Sequence, residues 1–145
     1  MSNSHIKSLS AEASLTVRFN ECDPLGIVWH GNYIKYFEEG REAFSDKYAF
    51  DFVEFYNNGI ATPVVHVSCD YKKMLQYRDK IIIEAIFKKT AAAKIVFEYI
   101  VRHQATGEQI AIGKTIQVFT DRHSGELQLT IPDFVEDWFK KVGLK

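Results

Sequence analysis

Cysteine is scarce in this sequence, with Cys22 and Cys69 alone among 145 residues and at no metal-like spacing. The five histidines, His5, His30, His66, His103 and His123, are scattered singly, so no metal site is expected. Charge of one sign is also missing. Eighteen Lys and Arg against nineteen Asp and Glu leave a formal charge of -1, which gives no global basic field and makes nucleic acid a poor partner. No apolar run approaches the roughly 20 residues that span a bilayer, so no membrane association is expected. The start, Met1 to Ser10, is polar and has no apolar stretch of signal-peptide type, which together with the sparse cysteines points to a reducing cytoplasm.

What the chain has in quantity is aromatic side chains, 14% of all residues, eleven of them Phe. A bulky core, an apolar pocket or a subunit interface could each use them. The length suits one domain over residues 1–145, with one site per subunit.

Along the chain, Leu15, Val17 and Phe19 alternate with polar residues, which predicts a first strand there. Glu21 to Asn32 follows, a segment punctuated by Pro24, Gly26 and Gly31 that predicts a loop. From Asn32, a plausible N-cap, the period becomes helical. Tyr33, Phe37, Gly40 and Phe44 share one face of a helix over about 32–48. Gly40 inside that helix predicts another backbone close to its face. A short helix over Asp51 to Tyr56 and a last helix over about 132–141, opened by Pro132 and carrying Phe134, Val135, Trp138 and Phe139, complete the helical part.

Between them the alternation predicts four successive strands. Their shared faces are Val65, Val67, Cys69 and Tyr71; then Ile81, Ile83, Ala85 and Phe87; then Ile95, Phe97, Tyr99 and Val101; then Ile110, Ile112, Ile116 and Val118. Short connections at 77–80, 90–93 and 105–108 suggest a meander. The fold class is therefore α+β, a five-stranded antiparallel sheet around one long helix. Apolar residues on both faces of the strands, Ile82 and Ile86 as well as Ile81 and Ile83, predict self-association.

The chemistry is expected in the loop from Glu21 to Asn32. The N-terminus of the following helix presents unpaired N–H groups and about half a positive charge, which can polarise a carbonyl and stabilise an oxyanion. Asp23, seven residues before His30, could face the same carbon as a base or nucleophile. The alternative is that Asp-Pro merely starts a turn. At His30 the backbone amide is the better candidate than the imidazole. Glu38 could order a water or belong to a solvated helical face, and Asn32 and Tyr33 could line a pocket or serve as cap and core. Cys22 has no evident histidine partner and is expected to pack. His66 and Asp70 share a strand face, lining the site or facing water. Arg78, Lys80, Lys88, Lys89 and Lys94 lie around strand ends, where they either hold phosphates or are simply solvated.

The segment Phe19-Asn20-Glu21-Cys22-Asp23-Pro24-Leu25-Gly26-Ile27-Val28-Trp29-His30-Gly31-Asn32-Tyr33-Ile34-Lys35-Tyr36-Phe37-Glu38 resembles the signature of the 4-hydroxybenzoyl-CoA thioesterase family. Asp23, Gly26, Ile27, Val28, Asn32, Tyr33, Glu38 and Arg41 match its pattern, and the resemblance covers about Leu15 to Thr120. It implies the hotdog fold and an acyl-CoA thioesterase needing no cofactor. Asp23 would attack the thioester or activate water, and the amide near His30 would polarise the carbonyl. Gly26, Trp29, Gly31, Asn32, Tyr33 and Glu38 would surround the substrate, with Phe44, Phe52, Phe55 and Tyr56 as candidates to close an acyl or aryl pocket. It further implies a homodimer or homotetramer with the acyl-CoA site at the subunit interface. A non-catalytic acyl-CoA or acyl-carrier-protein binder on the same fold is the alternative. The paired His and acid of a hotdog dehydratase are not found.

Overall fold

A computed structural model describes residues 8–144 of the chain. The polar start read over Met1 to Ser10 falls largely outside the described residues. In chain order the elements are β1 (Leu9–Thr16), α1 (Asn32–Tyr48), α2 (Phe52–Asn57), β2 (Ile60–Ala61), β3 (Val64–Tyr71), β4 (Lys80–Lys88), β5 (Lys94–His103), β6 (Gln109–Val118), β7 (Thr120–Asp121) and α3 (Asp133–Lys141). The main sheet has five strands in the order β1-β4-β5-β6-β3, and every neighbouring pair is antiparallel. The α+β class and the five-stranded antiparallel sheet hold, and α1, α2 and α3 lie at the three helical segments expected, so the one long helix expected around the sheet is the longest of three among the described residues.

Two strand expectations need correction. The first strand lies earlier than the alternation at Leu15 to Phe19, pairing over Leu9–Thr16 with β4. Its small residues Ser10, Ala11, Ala13 and Ser14 give little periodic signal, while Phe19 leaves the sheet for a 3-10 turn and is 76% exposed. The four strands do not form one meander either. β4, β5 and β6 do, but β3 joins the far edge beside β6. Residues 72–79 therefore cross from one side of the sheet to β4 on the other. Eight residues span ~26 Å when extended, ample for three strand spacings of about 4.8 Å. Leu75 is buried midway along that crossing.

On the inner face, Ile81, Ile83, Ala85 and Phe87 of β4 and Ile95, Phe97, Tyr99 and Val101 of β5 are buried as the alternation predicts. On β6 the inward set is instead Ala111, Gly113, Thr115 and Gln117, and Ile112, Ile116 and Val118 lie on the other face, only partly covered. Packing overrides hydropathy here. The Phe37 ring stacks on Tyr99, centroids 4.7 Å apart, and occupies the space a side chain at Gly113 would need. Thr115 meets the Tyr99 hydroxyl at 2.8 Å, so its polar atom is satisfied within the core.

α1 crosses this face at close range, as Gly40 predicts. A Cβ at Gly40 would sit 2.9 Å from Ile83 Cγ2 and 3.4 Å from Ala85 Cβ. Asp51 caps α2 by accepting from the Val53 and Glu54 amides. α3 closes the far end, where Trp138 donates its indole N–H to the Tyr48 carbonyl at 2.8 Å.

The aromatic richness is spent mostly here. Phe44, Phe50, Phe87, Phe97, Trp138 and Phe139 form one cluster of edge-on, tilted and stacked rings. Of the residues expected to close a pocket, Phe44 and Phe55 belong to this core, whereas Phe52 is half-buried and Tyr56 exposed.

Candidate functional site

The loop before α1 is built by a succession of short-range hydrogen bonds. After β1, the 3-10 turn Phe19–Glu21 is held by the Glu21 carboxylate, which accepts the Arg18 amide at 2.8 Å. Cys22 and Val28 then pair as an isolated antiparallel bridge, making residues 22–28 a small hairpin. At its tip the Asp23 amide donates to the Ile27 carbonyl (2.8 Å) and the Gly26 amide to the Asp23 carbonyl (2.9 Å). Gly26 takes φ +81°, a left-handed conformation that a residue with Cβ rarely adopts.

Asp23 does start this turn, since its Oδ1 accepts the Leu25 amide at 2.8 Å. That bond occupies one carboxylate oxygen. Oδ2 has no protein partner among the described residues, and the side chain is half-buried. The turn therefore occupies one oxygen of the group and leaves the other open.

Two further ties fix the hairpin in place. Val28 donates to the Leu75 carbonyl at 2.8 Å and Ile27 bridges Gln76, so the crossing segment 72–79 straps the hairpin down. On the other side, the Glu21 carbonyl accepts both the Trp29 amide (2.9 Å) and the Asn32 Nδ2 (2.8 Å), while Tyr36 donates its hydroxyl to Glu21 Oε1 at 3.1 Å. Burial, then the Glu21 charge, pushes the Tyr36 phenol well above its ordinary range, which keeps it a donor. Burial pushes the Tyr33 phenol to about 12.

At the start of α1 the residue in the cap position is Gly31, not Asn32, and no side chain caps it. Asn32 is buried and spends its amide on the loop instead. The Asn32 and Tyr33 amides bond back to the Trp29 and His30 carbonyls, but the His30 and Gly31 amides have no acceptor among the described residues. An uncapped helix end with free amides carries the partial positive charge that suits an anion or a carbonyl oxygen. The Trp29 ring covers the α-carbon of Gly31 so closely that a Cβ there would run into it, and Trp29 itself stays 49% exposed.

The structure thus brings Asp23, Gly26, Trp29, His30, Gly31, Asn32 and Tyr33 into one hairpin-to-helix unit. Glu38 stands apart. Its carboxylate is 63% exposed, pairs with Arg41 at 3.7 Å and borders a groove of about 710 Å³ between α1 and α2. Cys22 donates its thiol to the Arg18 carbonyl at 3.8 Å and packs, as expected. His66, Ser68 and Asp70 are exposed on β3.

Sequence reasoning missed three participants. Glu21 and Tyr36 are the pins of the loop, and Tyr71, at the end of β3, donates its hydroxyl to the His30 carbonyl at 2.9 Å. The Tyr71 ring also meets Tyr33 edge-on at 5.0 Å. Forty-one residues separate Tyr71 from His30, so no local signal links them. The peptide accepting this bond is the one that carries the Gly31 amide, and the bond polarises it. Tyr71→Phe removes one hydrogen bond worth ~1 kcal/mol, and we expect a several-fold lower kcat with KM little changed and a melting temperature lower by no more than about 3 °C. An unchanged kcat overturns this positioning role.

Comparison with known proteins places this arrangement. The sequence model of the Thioesterase-like superfamily matches residues 17–139. The 1,4-dihydroxy-2-naphthoyl-CoA hydrolase of Nostoc punctiforme is 27% identical over 128 residues, covering 86% of this chain and 83% of that protein. Among solved structures, the DHNA-CoA thioesterase of Staphylococcus aureus is similar with a TM-score of 0.81, at 24% identity, over 92% of this chain and 90% of that one. A 4-hydroxybenzoyl CoA thioesterase complexed with 4-hydroxybenzoyl CoA is similar with a TM-score of 0.75, at 23% identity, over 88% and 96%. These likenesses establish the hotdog fold. The relatives span more than one aroyl-CoA type, so the narrower 4-hydroxybenzoyl-CoA family is not singled out.

Proposed function

The chain belongs to the Thioesterase-like superfamily, and from that premise we propose that it is a thioester hydrolase converting acyl- or aroyl-CoA to free acid and CoA. The observation that carries this reading is a carboxylate with one oxygen anchored and the other free, on a hairpin hydrogen-bonded into the uncapped N-terminus of α1. Asp23 acts through its free oxygen, either attacking the thioester carbonyl carbon or taking a proton from the water that does. The carbonyl oxygen gains negative charge in that step and is met by the His30 amide and the positive end of α1. Collapse of the tetrahedral species breaks the C–S bond, and the CoA thiolate leaves and takes up a proton; where Asp23 itself attacks, the mixed anhydride so formed is then hydrolysed by water, which releases the free acid and restores the carboxylate.

The remaining assignments follow the geometry. Gly26 and Gly31 keep side chains out of the approach, Trp29 flanks it, and Asn32 and Tyr33 hold the helix end rigid. Glu38 lies six residues along α1 from Asn32, an axial rise of roughly 9 Å, and is exposed beside Arg41, where it would order a water or meet the far end of the acyl group. The chain acts in the cytoplasm on a substrate that needs no cofactor. No helix among the described residues is long and apolar enough to cross a membrane.

The active unit in this reading is a homodimer, or a homotetramer of paired dimers. β3 is an edge strand whose Val65 and Tyr71 are at least half exposed and whose outward backbone groups are unpaired by any strand among the described residues. The groove bordered by Glu38 and the one bordered by Arg78 both leave Asp23 outside their lining, which fits a pocket completed by a second copy. Sedimentation should give a multiple of the 16.7 kDa chain, and Val67→Lys, on that edge, should shift it to monomer and lower activity. A fully active monomer overturns the shared site.

The deciding experiment follows thiol release over a panel of aliphatic and aromatic acyl-CoAs, with Asp23→Asn beside the native chain. Turnover lost in the variant supports the thioesterase. Saturable acyl-CoA binding with no release from any substrate supports the non-catalytic binder instead.

A further inference from the structure

The five cations that the sequence places around strand ends do not share one environment. Lys88 pairs with Glu98 at 3.7 Å, and Lys89 sits 5.0 Å above the Phe139 ring. Arg78 and Lys80 instead border a groove of about 780 Å³ between the end of β1 and the turn before β4, and Arg18 joins them from the opposite wall. None of these three has a carboxylate within ion-pair distance among the described residues, whereas Arg41, Lys73 and Arg102 are each paired. Three unneutralised cations on one open groove form a site of positive potential.

The same groove exposes flat aromatic surface. Phe19 is 76% and Tyr77 45% exposed, with ring centroids 5.6 Å apart and edge-on, and the Arg78 guanidinium lies 5.1 Å over the Tyr77 ring. Rings and a guanidinium plane left in water beside cations are the combination that receives a base by stacking and its phosphates by charge.

The walls are also set in advance. The turn at 76–79 is closed by the Asp79 amide on the Gln76 carbonyl and by the Gln76 amide on Asp79 Oδ2 (2.8 Å), and it is tied to the opposite wall by Val17 to the Asp79 carbonyl (2.8 Å) and Arg78 to the Val17 carbonyl (3.1 Å). These bonds hold Arg78 at φ +75°, a left-handed conformation that a residue with a side chain keeps only when its surroundings impose it. Both walls continue directly into the candidate site. One leads through Arg18 to Glu21 and Asp23, and the other carries Leu75 and Gln76, which strap the Asp23 hairpin.

We propose that this groove binds the nucleotide end of coenzyme A, with the adenine against Phe19 and Tyr77 and the phosphates on Arg18, Arg78 and Lys80. The inference rests on the thioesterase reading and deepens it. It places the carrier on the face where β1 meets the crossing segment, with the pantetheine arm running along the hairpin to Asp23.

Two measurements test it on the intact chain. In the first, adenosine 3′,5′-bisphosphate is titrated calorimetrically into the native protein and into Arg18→Ala/Arg78→Ala, with Phe19→Ala as a separate exposed-site variant. Saturable binding that each variant weakens about 10-fold or more is expected. This needs no turnover, so it stands or falls apart from the hydrolysis. In the second, the same acyl group is offered on CoA and on N-acetylcysteamine, which lacks the nucleotide. The double variant should raise KM for the CoA thioester alone and leave kcat for both. Absence of bisphosphate binding to the native chain, or an equal change for both thioesters, overturns the proposal. A loss confined to acyl-carrier-protein substrates would reassign the groove to a protein carrier and equally overturns it. Bisphosphate binding with no hydrolysis of any thioester would retain the groove and remove the thioesterase.

Discussion

Asp23→Asn is expected to lose about 10²- to 10⁴-fold in kcat, the range that a positioned base or nucleophile contributes, with the upper end favouring direct attack. The change is unusually clean for this site. Asn retains the side-chain carbonyl oxygen that accepts the Leu25 amide, so the turn at the hairpin tip persists, and stability should move by no more than ~0.5 kcal/mol. What is lost is the charge on the oxygen that the protein leaves without a partner. His30→Ala is the informative control. It removes the imidazole and keeps the amide, so activity should largely survive. If His30→Ala were as damaging as Asp23→Asn, the imidazole rather than the backbone would be the acting group. If Asp23→Asn turned over at the native rate, the assignment of this carboxylate would be wrong.

The second large effect is on stability. Phe44 is fully buried on the inner side of α1, and its ring meets Tyr48, Phe50, Phe87, Phe97 and Trp138 at centroid distances from 4.7 to 6.2 Å. It therefore joins α1 to β4, β5 and α3 at once. Phe44→Ala should cost about 3–5 kcal/mol, because the rings around the vacated volume are held by one another and cannot collapse into it. For a chain of this size that corresponds to a melting temperature lower by about 10 °C or more. Leu129→Ala, at a side chain 82% exposed, should change stability by less than ~0.5 kcal/mol. Similar losses at the two positions would mean that the aromatic cluster does not carry the core.

The two variants also separate the layers of the molecule. The candidate site is built mostly from a short contiguous segment, whereas the core rings come from distant parts of the chain. That difference explains what could be read in advance. The helix expected over about 32–48 is observed as Asn32–Tyr48, because a 3.6-residue period with Gly31 before it and Ala49 in a left-handed conformation after it is local information. The strand at Leu9–Thr16 lies earlier than the apolar alternation indicates, because Ser, Ala and Glu there carry no strong apolar signal. On β6 the hydropathy pattern pointed outward, since Gly113 and Thr115 face inward to accommodate Phe37 and Tyr99.

The amino-acid sequence by itself determined the element types, the length of α1, and the concentration of Asp23, the glycines and the helix start in one loop, since each depends on residues a few positions apart. Tertiary structure alone decided that β3 lies at the far edge, because strand order is chosen by which faces can be buried together and hairpin-length signals do not carry that. That single choice sends residues 72–79 across the sheet, brings Tyr71 onto His30 and Leu75 onto Val28, and sets Arg78 opposite Arg18. Hydrogen bonds and charges act over a few ångströms of space whatever the separation along the chain, so these partners became visible only once the chain was folded.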